Sequence, residues 1–407
     1  MCKPESATVD QQSEKEVVEN ELKDVRKFVS TLKIEDLKNG SWFEKLLIHA
    51  LSTYSTKVDA EYFRTKYPDL PADAVVQERI EMAARYAAIE GGLTSAAYTT
   101  AVAATIGSGG GASPLTLPAG GAAFVVDLAY LSQAQIKLAY DISVLYQVPL
   151  DLEDPDDLWK LIRIAFSIKL GEGAGLVAVK GVPAVIRPLL KKYYARGILA
   201  AAKSLPVIGR YLLQRNVIKF AIPVVSIPAT IAVNFWTTTT TGRQAQNLMR
   251  TEAKLLESAA RIVQKSPHLV ELLWAMWMTM NADGSTTEDQ RTLLHHTISQ
   301  ARALDTSEEE LTELRNVIEI DKEKVWSLLS TVEDLSPIYD ASVVAAAVSR
   351  KPSENMFQVL QEMAERGGVE FNRADINDAA NEWASSSHKG KKILKKSDHK
   401  TSKPRGS

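Results

Sequence analysis

The chain has 407 residues, 45% of them hydrophobic, with a formal net charge of -2. That is enough apolar material for a sizeable core and enough length for two or three domains. One cysteine, Cys2, excludes a disulfide framework or a multi-thiolate metal site, fits a reducing compartment and is read as incidental. The polar, acidic opening "MCKPESATVDQQSEKEVVENELKD" carries no apolar signal core, so a cytoplasmic protein is expected.

Residues 1–40 alternate charges densely and read as a flexible arm that includes a solvated helix, with no site in it. From Trp42 to Glu90 apolar residues recur at helical spacing: Phe43, Leu46, Leu47, Ala50 and Leu51, then Ile80, Ala83, Ala84 and Ala87. Between them "KYPDLPAD" reads as a turn. For 36 residues, from Gly91 to Val126, the chain then carries no charge. Within that run Gly107, Gly109 and Ala112 match the spacing of a dinucleotide fingerprint. Pro114 and Pro118, however, interrupt what would have to be its helix, and no lysine follows for a phosphate loop. Close helix packing or a shallow, re-entrant entry into a membrane remain, with a packed core the leading reading and no segment a clear transmembrane helix.

Phe124, Leu128, Leu131, Leu138, Ile142 and Leu145 mark one face of a long helix ending near Tyr146, before Pro149. Asp127 shares a face with Leu131, Ala134 and Leu138, so it needs a buried partner. In "DLEDPDDLWKLIRIAF" the acids read as helix-start residues, with Asp154 as N-cap and Pro155 at the first position. Several short helices follow, broken at Gly181, Pro183, Pro206, Gly209, Pro223 and Pro228. "FAIPVVSIPATIAV" is rich in β-branched residues, but its two prolines argue against a central strand. Farther on, Asn234, Thr238, Gly242 and Ala245 fall along one helical face, as small and polar residues do at a close helix contact. Asp127 and this face are expected to meet in a buried polar network, structural rather than catalytic.

Charge is distributed unevenly. Between Glu172 and Glu252 lie 79 residues without Asp or Glu, where simple proportion would give about ten. The stretch holds eleven basic residues, among them Lys191, Lys192, Arg196, Lys203, Arg210, Arg215 and Lys219, which are the candidate lipid-binding set. Residues 252–388 instead carry 24 acids and 12 basic residues, a net of -12. There "DGSTTED" and "DTSEEE" place Ser285 three before Glu288 and Thr306 three before Glu309, two capping-box starts in a compact helical bundle. From Lys389 the chain holds eight Lys or Arg and one Asp, a composition expected to be disordered.

Catalytic signals are absent from the sequence: there is no nucleophile elbow, no zinc-protease motif, and no ligand spacing among the six histidines. "TMNADGSTTEDQ" resembles half a calcium loop, but Gln290 stands where the bidentate Glu is needed. No cofactor is expected.

"LPAGGAAFVVDLAYLSQAQIKLAYDISVLYQVPLDLEDPDD" followed by "LPVIGRYLLQRNVIKFAIPVVSIPATIAVNFWTTTTTGRQA" resembles the EcsC family over roughly Leu46 to Arg250. Asp127, Tyr146, Pro206, Gly209, Pro223, Asn234, Thr238 and Gly242 fall on the family pattern, and Gln147 stands where a glycine would follow the tyrosine. "LLWAMWMTMNADGSTTEDQRTLLHHTISQARALDTSEEELTELRNVIE" resembles TerB-type domains linked with tellurite resistance, through Asp283, Gly284 and Glu288. The second resemblance implies Asp283 and Glu288 as metal-site candidates, and together the two imply a membrane-linked or stress-response setting. The fold expected is all-α: a charged arm (1–40), a glycine-rich helical domain (41–250), a smaller acidic bundle (251–385) and a basic tail (386–407).

The leading function is a non-enzymatic regulatory or interaction protein at the inner membrane face, peripheral or re-entrant and linked to a transporter or envelope stress response. It would bind anionic lipid through the basic middle, while the acidic bundle recruits a protein partner or masks that middle. The alternative is a hydrolase-type enzyme using Asp127 near Asn234 and Thr238. Specific nucleic-acid binding is not expected, because so apolar a basic region has few base-reading side chains.

Overall fold

The computed structural model describes residues 5–107, 118–150, 152, 155–166, 212, 227–304 and 321–385. Among these there are helices and no strands, so the fold is all-α. The chain divides between Leu248 and Met249 into two compact units.

In the first unit, α1 (Glu5–Thr31), α2 (Ile34–Asn39), α3 (Trp42–Leu51) and α4 (Ala60–Lys66) lead to two long helices, α5 (Ala72–Gly107) and α6 (Pro118–Leu145). These two pack along each other, and α1, α3, α4 and α7 (Pro155–Ala165) pack on α6. Asp59 starts α4 by accepting a hydrogen bond from the Tyr62 amide at 2.7 Å. Gly40, with φ +85°, closes α2 in the left-handed conformation that costs glycine least.

The charged arm, expected to include a solvated helix, is largely α1, and that helix is packed rather than solvated. Val18, Leu22 and Val25 recur at helical spacing and are buried, and α1 packs on α5 and α6. Its dense charges lie around that stripe: Glu14 pairs with Arg85 at 2.9 Å and Glu21 with Lys137 at 3.4 Å. Charge density masked a narrow apolar face.

The long helix with Asp127 ends at Leu145, and Gln147 beyond it has φ +55°. This is the left-handed conformation that a glycine takes most easily. Asp154 lies outside the described residues, whereas Pro155 opens α7 as the capping reading expects. The part of the β-branched stretch that is described, from Ile227 onward, begins α8 (Ile227–Lys265), with Pro228 in its first turn where a missing N–H costs nothing.

Gly242 sits where α8 meets α5 and α6. A Cβ there would come within 2.8 and 2.9 Å of the Ile80 side chain and 3.1 Å of Leu138.

In the second unit α9 (Leu269–Met280) is central and buried along most of its length, because apolar side chains surround its whole circumference. It packs against α10 (Glu288–Arg302), α11 (Lys322–Leu329), α12 (Ser336–Ala347) and α13 (Glu354–Gly367), and α14 spans 373–385. The start of α10 differs from the expected Ser285–Glu288 box. Thr287 is the N-cap, accepting from the Gln290 amide at 3.2 Å while the Gln290 side chain accepts from the Thr287 amide at 2.9 Å. Gln290 fits because, fully buried, it also donates to the Ala345 carbonyl at 3.1 Å. The second expected box, Thr306 with Glu309, lies outside the described residues, as does the basic tail.

Gly242→Ala is expected to destabilise the chain by about 1–3 kcal/mol, since the added methyl must displace β-branched Ile80. Urea denaturation of the two proteins checks this, and an unchanged midpoint would contradict the close approach.

Candidate functional site

Two features of the first unit go beyond ordinary packing. One is a buried polar cluster and the other is an apolar outer face.

The cluster forms where α5, α6 and α8 converge. Glu90 on α5 is fully buried, Asp127 on α6 is 5% exposed and Asn234 on α8 is 6% exposed. Asn234 donates from Nδ2 to Oε2 of Glu90 at 3.3 Å. It can reach because residue 91 is glycine: a Cβ there would stand 2.7 Å from that same Nδ2. Thr94, one turn on, returns its hydroxyl to the Glu90 carbonyl at 3.1 Å. Burial, and then the charge of neighbouring Asp127, hold the Glu90 carboxyl well above the ordinary range for a glutamate. Two carboxyls in one dry place disfavour each other's charge, which favours a proton on Glu90.

Of the residues singled out in the sequence, Asp127 and Asn234 thus come together around Glu90. Thr238 and Gly242 continue the same buried face of α8, one and two turns farther on, with Gly242 against Ile80 and Leu138. Glu90 was missed by sequence reasoning, although a signal existed: it is the last charge before the uncharged run, and Asp127 is the first after it. The hairpin of α5 and α6 brings these two boundary acids side by side. Beyond them, α5 rises for about 25 Å to Gly107, and α6 covers about 14 Å from Pro118. So small an exposure of Asp127 and Glu90 suits a structural role better than contact with a substrate.

The outer face belongs to the first turns of α8. There the usual amphipathic order is inverted: Thr230, Asn234, Thr238 and Thr241 point inward and are buried, while Ile231, Val233, Phe235 and Trp236 are exposed, Trp236 by 62%. Ile231 also lies against Gly92 of α5, 3.4 Å from where a Cβ would stand. The outer surface of α8 is therefore continuous with the start of the uncharged part of α5.

The remaining candidates do not join a described site. Lys191, Lys192, Arg196, Lys203, Arg210, Arg215 and Lys219 lie outside the described residues. Asp283 and Glu288 are exposed, at and beyond the turn where Gly284 has φ +69°. Among the described residues no group of three His, Cys, Asp or Glu side chains could hold a metal ion.

Comparison of the chain with protein-family models, with curated proteins and with solved structures finds no match.

A raised carboxyl weakens the fold as pH climbs. Below the unfolded-state value both states are protonated; above it the unfolded chain ionises and gains stability relative to the folded one. Glu90→Gln is therefore expected to gain stability relative to wild type as the pH is raised from 4 to 8, with the two proteins differing least near pH 4. Urea melts of both proteins across that range provide the check. A variant that instead loses stability relative to wild type over that range would show that Glu90 is held as a charged group.

Proposed function

We propose that the protein acts at a membrane surface as a non-enzymatic interaction or regulatory protein, with the outer face of α8 and the uncharged hairpin of α5 and α6 entering the lipid interface. The single observation that carries this reading is the inversion of α8. A helix that turns threonine and asparagine inward and Ile231, Val233, Phe235 and Trp236 outward is matched to an apolar surrounding.

Two further features support it. The charge-free run begins immediately beyond Glu90 and ends immediately before Asp127, so hairpin residues beyond the pair could enter an interface without burying a charge. The sequence between Glu172 and Glu252 supplies basic residues and no acids, a composition drawn to anionic lipid at about 1 kcal/mol per well-placed Lys or Arg. Among the described residues no helix is long and apolar enough to cross a membrane, which makes the proposed insertion shallow. The resemblance to the EcsC and TerB-type families rests on the quoted motifs and favours the same membrane-linked setting, with the acidic second unit as the part that recruits a protein partner.

The test is flotation of the purified chain with neutral and with anionic liposomes, before and after a high-salt wash. Wild type is expected to float with anionic lipid and to stay bound in salt. Phe235→Glu with Trp236→Glu, both on the exposed face, should keep the melting temperature within a few degrees while losing salt-resistant binding. Equal flotation of wild type and variant, or no flotation of wild type, would count against the proposal.

A further inference from the structure

The first unit contains a second polar site, separate from the Glu90 cluster and from the apolar face. At its centre is Asp141 on α6, almost fully buried. Its Oδ2 accepts from Arg79 Nε at 2.9 Å and Nη2 at 2.6 Å, and its Oδ1 accepts from the Tyr54 hydroxyl at 2.7 Å. Burial pushes the Asp141 carboxyl upward, while the Arg79 charge and the Tyr54 hydroxyl pull it back. The Tyr54 hydroxyl is held strongly protonated by its burial and by the Asp141 charge.

This triad lines a cleft of about 210 Å³ bordered by residues of α1, α4, α5 and α6. Three features of the cleft describe an occupant. First, its walls include the rings of Tyr54, Tyr62, Tyr86 and Tyr130, which suit a flat, polarisable molecule. Second, its charged side chains are Lys66, Arg79 and Lys137 against Glu21 and Asp141, an excess of one positive charge. Arg79 also turns its remaining nitrogen, Nη1, toward the weak acceptor Met82 Sδ at 3.8 Å, so an anionic oxygen would be a better partner. Third, Gln133 lines the cleft at 6% exposure, and its amide oxygen has no hydrogen-bond partner among the described residues. A buried amide oxygen left without a donor is costly, and a donor brought by a ligand would satisfy it.

We infer that this cleft is a binding site for a small aromatic carboxylate that also carries a hydrogen-bond donor, such as an amino or hydroxyl group. The ring packs among the tyrosines, the carboxylate meets Arg79 Nη1 and Lys137, and the donor reaches Gln133 Oε1. Size agrees: a cavity of about 150 Å³ holds one benzene ring, so about 210 Å³ admits a ring with one or two short substituents. The proposal is independent of lipid binding, because none of these residues lies in the uncharged run or on the exposed face of α8.

The experiment is titration of the full chain with 4-aminobenzoate, benzoate and aniline, followed by calorimetry and by saturation-transfer NMR. 4-Aminobenzoate is expected to bind with a Kd of about 1 mM or tighter, benzoate about tenfold more weakly for lack of the donor, and aniline more weakly still for lack of the anion. Gln133→Leu keeps similar volume and removes the buried amide. It should melt at the same temperature or higher and bind 4-aminobenzoate about tenfold more weakly, with benzoate unchanged. Lys137→Met, at a half-buried position, should weaken both carboxylates and leave aniline alone. Absence of 4-aminobenzoate binding at about 10 mM, equal affinity for all three probes, or unchanged 4-aminobenzoate binding in folded Gln133→Leu would each overturn the site.

Discussion

Two carboxyl groups buried side by side disfavour each other's charge, and the first unit is built around such a pair. Glu90 and Asp127 meet where α5, α6 and α8 come closest, with Asn234 donating to Glu90 and Gly91 leaving room for it. Replacing water around one ionised carboxyl in a dry site is expensive, and two would repel strongly, so the closing of these helices favours a proton on Glu90. The pair also separates two chemical regimes along the hairpin. Toward α1 and α4 the helices carry ion pairs and a polar cleft; beyond the pair they carry no charge for 36 residues.

The rest of the unit follows from the need to satisfy polar groups where the helices pack. Arg79, Asp141 and Tyr54 tie α5, α6 and the segment after α3 together by hydrogen bonds that span 62 and 87 residues of sequence. Small residues at Gly91 and Gly242 allow the backbones to approach, and the threonines of α8 fill the contact. Because the inward face of the first turns of α8 is used for polar and small side chains, the large apolar residues of those turns are left on the outside. The exposed Trp236 and the buried Asn234 thus have one cause. The second unit obeys the ordinary rule, with an apolar α9 enclosed by amphipathic partners.

Much of this was legible in the sequence, and the failures are informative. Helical periodicity identified an all-α chain, the long helix bearing Asp127, and the Asn234–Thr238–Gly242–Ala245 face, because each signal is local. Partnerships across the fold were not legible. Arg79 and Asp141 read as ordinary members of charged helices, and only the folding of α5 against α6 puts one on the other. Glu90 had a trace in the sequence, as the boundary of the uncharged run, but a boundary residue does not announce burial. The charge density of residues 1–40 indicates a helix but not its burial, because composition averages over the helix, whereas Val18, Leu22 and Val25 need only a narrow stripe to bury it. The cap of α10 was placed two residues early because Ser285 and Glu288 fit the spacing; what selects Thr287 is the additional bond from Gln290 to Ala345, 55 residues away.

The raised proton affinity of buried Glu90 is the claim on which the packing of α5, α6 and α8 rests, and it can be observed directly. With side-chain carboxyls labelled with carbon-13, the Glu90 resonance should titrate well above the ordinary glutamate range. If Glu90 instead ionises with an ordinary value near 4, its carboxyl is solvated and the cluster does not hold the helices as described.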